Sequence, residues 1–164
     1  RLNWRYVDAP GAGELPNSEG TALVYDGQGG AVVTGFVQTE KDDVDILTIH
    51  VDRHGRALWR RRWPNASHEC DRAYGIVRDP VSRDVTVVGT TYLPARDEWR
   101  LATLRYRHDG ELRWERLSSG EVDRAEYGVR VGALPDGGVV VAGTARVGER
   151  EEIVVSRYDR DGAR

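Results

Sequence analysis

The amino-acid sequence predicts an all-β protein made of three four-stranded antiparallel units, and two regularities of nearly equal period carry this prediction. Apolar runs that end in glycine recur at Gly35, Gly89 and Gly143, each 54 residues from the next. Hairpin signals that lead into a tryptophan recur at Trp59 and Trp114, which are 55 residues apart. A fixed period of this length indicates structural repeats that each pack against their neighbours.

The first two strands of each unit are predicted from a short run, a turn and an apolar run. The short run begins with an aromatic residue and glycine at Tyr74-Gly75 and Tyr127-Gly128, and Glu19-Gly20 takes that place in the first unit. Clusters of turn-forming residues follow at 26–30, 79–84 and 135–138. The next run is almost entirely apolar, which is typical of a strand covered on both faces.

The third strand of each unit is predicted from alternating polarity. In the first unit Leu47, Ile49 and Val51 face one way, and Thr48 and His50 face the other, as in a half-buried strand. Tight hairpin signals follow at His54-Gly55, Asp109-Gly110 and Asp161-Gly162. The fourth run carries the tryptophans, and no part of the sequence shows a sustained helical period.

Four antiparallel strands in every period, with the second buried on both faces, predict the blades of a β-propeller. Residues 1–164 are expected to form a single propeller segment with repeats at about 17–70, 71–122 and 123–164. Residues 1–16 are expected to supply an outer strand and the following loop. The alternatives are a β-sandwich and a twelve-stranded up-and-down barrel, neither of which requires one pattern three times over.

Three blades are fewer than the four to eight of typical propellers. The third unit, up to Arg164, lacks a fourth strand, while Leu2 to Tyr6 has the sequence of a fourth strand without its own unit. Two interpretations stay open: a partial propeller within a longer chain, or half of a six-bladed assembly of two copies that exchange this strand. The expected partners are therefore the remaining blades or a second copy of the chain.

Composition and charge argue against several classes of protein. The net charge is −3 and 31% of the residues are charged, which argues against nucleic acid as a partner. No apolar run approaches the ~20 residues of a membrane-spanning helix. Cys70 is the single cysteine, so an intrachain disulfide is excluded.

Ligand-binding residues are predicted at a loop rim just before the first strand of two units. Asp71-Arg72 and Asp123-Arg124 occupy equivalent places there, close to Tyr74 and Tyr127. Repetition at one place indicates a task performed once per blade: capping loop amides, pairing with an arginine of the next blade, or lining the channel where a ligand binds. The candidate binding residues are Asp71, Arg72, Tyr74, Asp123, Arg124 and Tyr127.

Metal and catalytic motifs are weak in this sequence, and no cofactor, metal or catalytic residue is predicted. His68, Glu69, Cys70 and Asp71 form a dense cluster, but adjacent residues of an extended loop point in opposite directions. The turn from Asp159 to Gly162 resembles part of a calcium loop, but the equivalent turns of the other units lose one or other acid, and a hairpin explains all three. The sequence has no phosphate loop, nucleophile elbow or metalloprotease helix, which makes an enzyme less expected than a binding protein.

The repeats resemble those of bacterial β-propellers of the SBBP and PQQ-like superfamilies. The shared pattern is an aromatic-glycine first strand, a VVVxG second strand, and a third strand that runs into DxDGxxxW, here VDRHGRALW and YRHDGELRW. The resemblance implies a propeller and an extracellular or cell-envelope setting. It implies little about activity, because one fold carries many functions.

The function predicted from the sequence is a non-catalytic scaffold or interaction module that binds a protein or glycan through its loop faces. A lectin-like role rests on the five tryptophans Trp4, Trp59, Trp63, Trp99 and Trp114. The alternative is part of a larger propeller enzyme, of a quinoprotein or hydrolase kind, whose catalytic residues lie outside this chain.

Overall fold

The structure, a computed structural model, describes residues 3–40, 43–64, 70–118, 129–147 and 150–164. These residues form eleven β-strands and a single 3₁₀ turn, Pro94–Arg96, so the all-β prediction is confirmed. The strands are β1 (Ser18–Tyr25), β2 (Ala31–Glu40), β3 (Asp43–Val51), β4 (Ala57–Trp63), β5 (Asp71–Arg78), β6 (Val85–Leu93), β7 (Glu98–Tyr106), β8 (Leu112–Leu117), β9 (Arg130–Ala133), β10 (Val139–Val147) and β11 (Arg150–Tyr158).

The strands form three antiparallel sheets in which neighbours in sequence are neighbours in space. The first sheet has the order β1-β2-β3-β4, the second has the order β5-β6-β7-β8, and the third has the order β9-β10-β11. The four-stranded prediction is thus confirmed for the first two sheets, and the third has three strands among the described residues. The turns β1–β2, β3–β4, β5–β6, β7–β8 and β9–β10 lie at one end of the sheets, called here the hairpin end.

Glycines at the middle of β2 and β6 allow an unusually close approach of the preceding strand. The β1–β2 and β5–β6 ladders each contain a bulge beside the glycine. A Cβ atom on Gly35 would lie 1.8 Å from the carbonyl oxygen of Glu19, and one on Gly89 would lie 2.2 Å from that of Arg72. These two glycines therefore take equivalent positions in the first and second sheets.

Gly143 takes the corresponding position in β10 of the third sheet. Among the described residues, the nearest atoms to a Cβ added there belong to the side chain of Leu101, at 3.4 Å. The strand β9 begins at Arg130, opposite Ala142, and the residues that precede it in the third unit, 119–128, lie outside the described part of the chain.

Gly89→Ala is expected to reduce the free energy of unfolding by roughly 1–3 kcal/mol or more, because backbone has to move to make room for the methyl group. Gly20→Ala is the control, because the nearest described atom to a methyl added there belongs to the side chain of Val33, at an ordinary contact distance of 3.4 Å. Urea denaturation of both variants tests this. Equal losses in the two variants would contradict the close approach at Gly89.

Apolar side chains fill the seams between neighbouring sheets. The interface between the first and second sheets, called here the first seam, contains Val32 and Ile46 from one side and Val87 and Leu104 from the other. The interface between the second and third sheets, called here the second seam, contains Val88 and Leu101, which pack against residues of β10 and β11: Val139, Val141 and Tyr158. Each face of the second sheet is therefore buried, as its apolar β6 run predicted.

At the first seam, Trp59 of β4 packs against the β7–β8 turn of the second sheet. The ring of Trp59 lies so close to Gly110 that an added Cβ there would be 2.7 Å away. The indole N–H donates to the carbonyl oxygen of His108 at 3.0 Å. Two residues further along, the guanidinium of Arg61 donates to the carbonyl oxygen of Gly110 at 2.8 Å.

The second seam repeats this arrangement with β8 and the turn after β11. Trp114 lies against Gly162, where an added Cβ would be 2.8 Å from the ring. Its indole N–H donates to the carbonyl oxygen of Arg160 at 3.0 Å, and Arg116 donates to that of Gly162 at 2.8 Å. At both seams, therefore, a tryptophan and an arginine of one sheet donate hydrogen bonds to the hairpin of the next sheet.

The segment before β1 lies against the outer face of the first sheet and forms no strand from residue 3 to residue 10. Trp4 packs there and lies 3.1 Å from the position of an added Cβ on Gly55, in the place that Trp59 takes against Gly110. The guanidinium of Arg60 binds the carboxylates of Asp8 and Glu14. No helix in the described ranges has the length and apolar character needed to cross a membrane.

Candidate functional site

Three of the six predicted rim residues lie at the start of β5, where they differ in environment. Asp71 is fully buried, in register with Thr91, and so does not point into bulk solvent. Arg72 is exposed, with its guanidinium carbon 5.0 Å from the ring centre of Phe36 in the first sheet. Tyr74 is half-buried and packs into the seam between the second and third sheets.

The other three predicted rim residues, Asp123, Arg124 and Tyr127, lie outside the described residues, as do His68 and Glu69 of the loop cluster. The binding role of the rim therefore stays a prediction. Among the residues that the structure does describe, no group of three His, Cys, Asp or Glu side chains is placed to hold a metal ion.

A pair of aromatic rings stands at the end of the second sheet opposite the hairpin end. Tyr92 of β6 lies opposite Trp99 of β7, with ring centroids 5.3 Å apart and an interplanar angle of 50°. The hydroxyl of Tyr92 donates to the carboxylate of Asp97 at 2.5 Å, which braces the intervening turn. Both rings are half-buried, so each retains an accessible surface.

At the hairpin end, a carboxylate of the β1–β2 turn meets a histidine of β3. Asp26 accepts hydrogen bonds from the backbone N–H groups of Gln28 and Gly30 at 2.6 and 2.9 Å. Its second oxygen lies 3.1 Å from Nε2 of His50. Because the carboxylate only accepts, Nε2 carries the proton of this contact. Burial raises the pKa of Asp26, but the three hydrogen bonds outweigh it and hold that pKa below its usual value.

The second sheet has an arginine where the first has His50. His50 lies opposite Trp59 in the β3–β4 ladder, and Arg105 lies opposite Trp114 in the β7–β8 ladder. The guanidinium of Arg105 contacts the carboxylates of Asp79 and Asp84 in the β5–β6 turn of its own sheet, and it reaches across the second seam to donate to the carbonyl oxygen of Gly137.

At the first seam the shorter imidazole leaves a cavity of about 150 Å³ at the hairpin end. Its polar lining consists of Asp26, Gln28, His50, Arg78, Arg83 and His108, and Trp59 supplies part of the apolar wall. The side chains of Arg78, Arg83 and His108 make no hydrogen bond or ion pair within the described part of the chain. This cavity therefore contains more positive charge than its own carboxylate balances.

The sequence contained a signal for this cavity that the rim prediction did not use. His50, Arg105 and Arg157 each stand five residues before a hairpin glycine, so histidine is the exception among the three units. The contact with Asp26 was not visible, because it depends on a turn that brings residues 24 positions apart together.

Comparisons with known proteins assign no family to this chain. No family model matches the sequence, and no curated protein matches it either.

Proposed function

We propose that the chain is a β-propeller segment that acts as a non-catalytic scaffold or interaction module and binds a protein or glycan through its loop faces. The repeated seam supports the propeller part of this proposal. A tryptophan and an arginine from one sheet hold the hairpin of the next sheet by the same contacts at both seams. Repetition of one sheet-to-sheet contact is the packing rule of propeller and solenoid architectures.

The half-buried ring pair of Tyr92 and Trp99 is the observation that carries the binding role. Three other tryptophans are buried, and the indole N–H of each donates a hydrogen bond: Trp59, Trp63 and Trp114. Trp99 has an accessible ring face, and its indole N–H has no partner among the described residues. Rigid amphipathic rings of this kind are the side chains most enriched in binding hot spots.

Trp99→Ala is expected to weaken ligand binding more than tenfold, because truncation of a hot-spot ring costs about 2 kcal/mol or more. The wild-type chain and the variant are compared on a glycan array and against a displayed peptide library. Tyr25→Ala serves as the matched control, since Tyr25 is an exposed ring at the hairpin end. Ligands bound equally by wild type and Trp99→Ala, or lost equally in both variants, would contradict a site at this ring pair.

Further sheets of the same kind are proposed to cover the outer faces of the first and third sheets, from a longer chain or a second copy. On the third sheet, Ile153 and Val155 are 85% and 62% exposed. On the first sheet, Trp4 and Tyr6 of the segment before β1 cover only part of the outer face, and a cavity of about 250 Å³ lies between them and Val33, Leu47 and Ile49. Apolar surfaces of this kind mark interaction sites. The resemblance to bacterial propeller repeats supports an extracellular or cell-envelope setting.

A further inference from the structure

The cavity between the first and second sheets differs from the second seam in how its charges are arranged. At the second seam, Arg105 is enclosed by two carboxylates and a carbonyl oxygen, so its charge is balanced in place. At the first seam, Asp26 is already engaged by two backbone N–H groups and by His50. Within the described ranges, the two arginines that face this cavity, Arg78 and Arg83, bind no carboxylate.

Arg83 occupies the place that glycine takes in the third sheet. The β5–β6 turn closes by a hydrogen bond from Asp79 to Asp84, and the β9–β10 turn closes by one from Leu134 to Gly138. In both turns, the residue just before the hydrogen-bond acceptor adopts the left-handed backbone conformation: φ is +65° at Arg83 and +83° at Gly137. A non-glycine residue in this conformation is uncommon, and strained conformations of this kind cluster at functional sites.

Arg78 brings a second positive charge to the same cavity from the end of β5. Its guanidinium crosses the seam and lies against the β1–β2 turn, since an added Cβ on Gly27 would be 3.4 Å from it. His108 lines the cavity from the β7–β8 turn. Hydrogen-bond donors thus surround the cavity from three chain segments: the end of β5, the β5–β6 turn and the β7–β8 turn.

We propose that this cavity binds a small tetrahedral oxyanion of the phosphate or sulfate class. Guanidinium groups bind such oxyanions through paired, charge-assisted hydrogen bonds, which are among the strongest in proteins. A volume of about 150 Å³ admits an ion of this size. A tetrahedral ion offers acceptor oxygens toward all three segments, whereas a planar carboxylate offers only two oxygens in one plane. This site is independent of the ring pair of Tyr92 and Trp99.

Titration calorimetry of the full chain with sodium phosphate, at an ionic strength held constant with sodium chloride, tests the proposal. The expected result is one saturable site for which sulfate competes, with acetate binding at least tenfold more weakly. Arg83→Gly is expected to reduce phosphate affinity at least tenfold, and it should fold, because the third sheet carries glycine in this place. Arg78→Gln, a second variant, is expected to act in the same direction.

Arg107→Gln is the matched control, because it removes the same charge near the same end from an exposed side chain paired with Glu111. Its phosphate affinity is expected to stay within twofold of wild type. Three results would overturn the proposal: no saturable phosphate binding at constant ionic strength, acetate binding as tightly as phosphate, or equal losses in Arg83→Gly and Arg107→Gln.

Discussion

Arg105→Ala is expected to lower the free energy of unfolding by about 3–5 kcal/mol, the range for removal of one partner of a buried ion pair. The side chain of Arg105 is 1% exposed, and that of Asp84 is 5% exposed. The substitution removes a hydrogen bond of 2.6 Å to the carbonyl oxygen of Gly137 and the ion pair of 2.9 Å to Asp79. It also leaves an empty volume in the second seam.

The loss is expected to depend on pH in a stated direction. Burial raises the pKa of Asp79, but hydrogen bonds from Val81, Ser82 and Arg105 hold that pKa below its usual value. A carboxyl with a lowered pKa in the folded state stabilises the protein above its unfolded pKa, about 3.9, and ceases to do so as the pH falls through the folded value. The effect of Arg105→Ala is therefore largest near neutral pH and shrinks below about pH 4.

Arg157→Ala is the matched control for this prediction. Arg157 pairs with Asp136 at the corresponding place of the third sheet, but the two side chains are 63% and 54% exposed. An exposed pair of this kind contributes about 0–1 kcal/mol. Urea denaturation of both variants at pH 7 and pH 3.5 gives the comparison. If the two substitutions cost the same at pH 7, then the buried contacts of Arg105 do not stabilise the fold as described.

The strands and hairpins were predictable because their determinants are local. The alternation of apolar and polar residues that predicted β3 and β7 can be recognised from neighbouring residues alone. Turn pairs such as Asp109-Gly110 specify a hairpin by themselves. Gly55 and Gly110 take left-handed backbone, with φ of +76° and +85°, where the turn needs it. Because the pattern recurs at a fixed period, a strand or turn predicted in one unit could also be predicted at the corresponding place in the next unit.

Side-chain roles were less predictable because they depend on which sheet lies opposite. Tyr74 was predicted as a rim residue from its place before the first strand; the sequence did not show that part of its side chain packs into the second seam, on the face of β5 that the third sheet covers. Arg83 showed no motif at all. The role proposed for it in the cavity rests on its left-handed turn conformation and on the shorter His50 across the seam, and neither can be derived without the strand register.

Trp59→Ala is expected to lower the free energy of unfolding by about 3–5 kcal/mol, the usual cost of truncating a buried aromatic ring. Trp59 is buried against Gly110 and lies 5.7 Å from His50 and 6.1 Å from Tyr106 between ring centroids. Its removal takes away the ring that joins β4 to the hairpin of the second sheet and the hydrogen bond to His108.

Two further substitutions separate the ring from its surroundings. Trp59→Phe keeps an aromatic ring but cannot donate to His108, so the lost hydrogen bond alone costs about 0.5–1.5 kcal/mol. Trp99→Ala removes a half-buried ring at a sheet end and should cost less than Trp59→Ala, because less of its surface is buried. Chemical denaturation ranks the three variants. Should Trp59→Ala prove no more destabilising than Trp99→Ala, the tryptophan contact does not hold the sheets together, and the proposed propeller packing loses its main support.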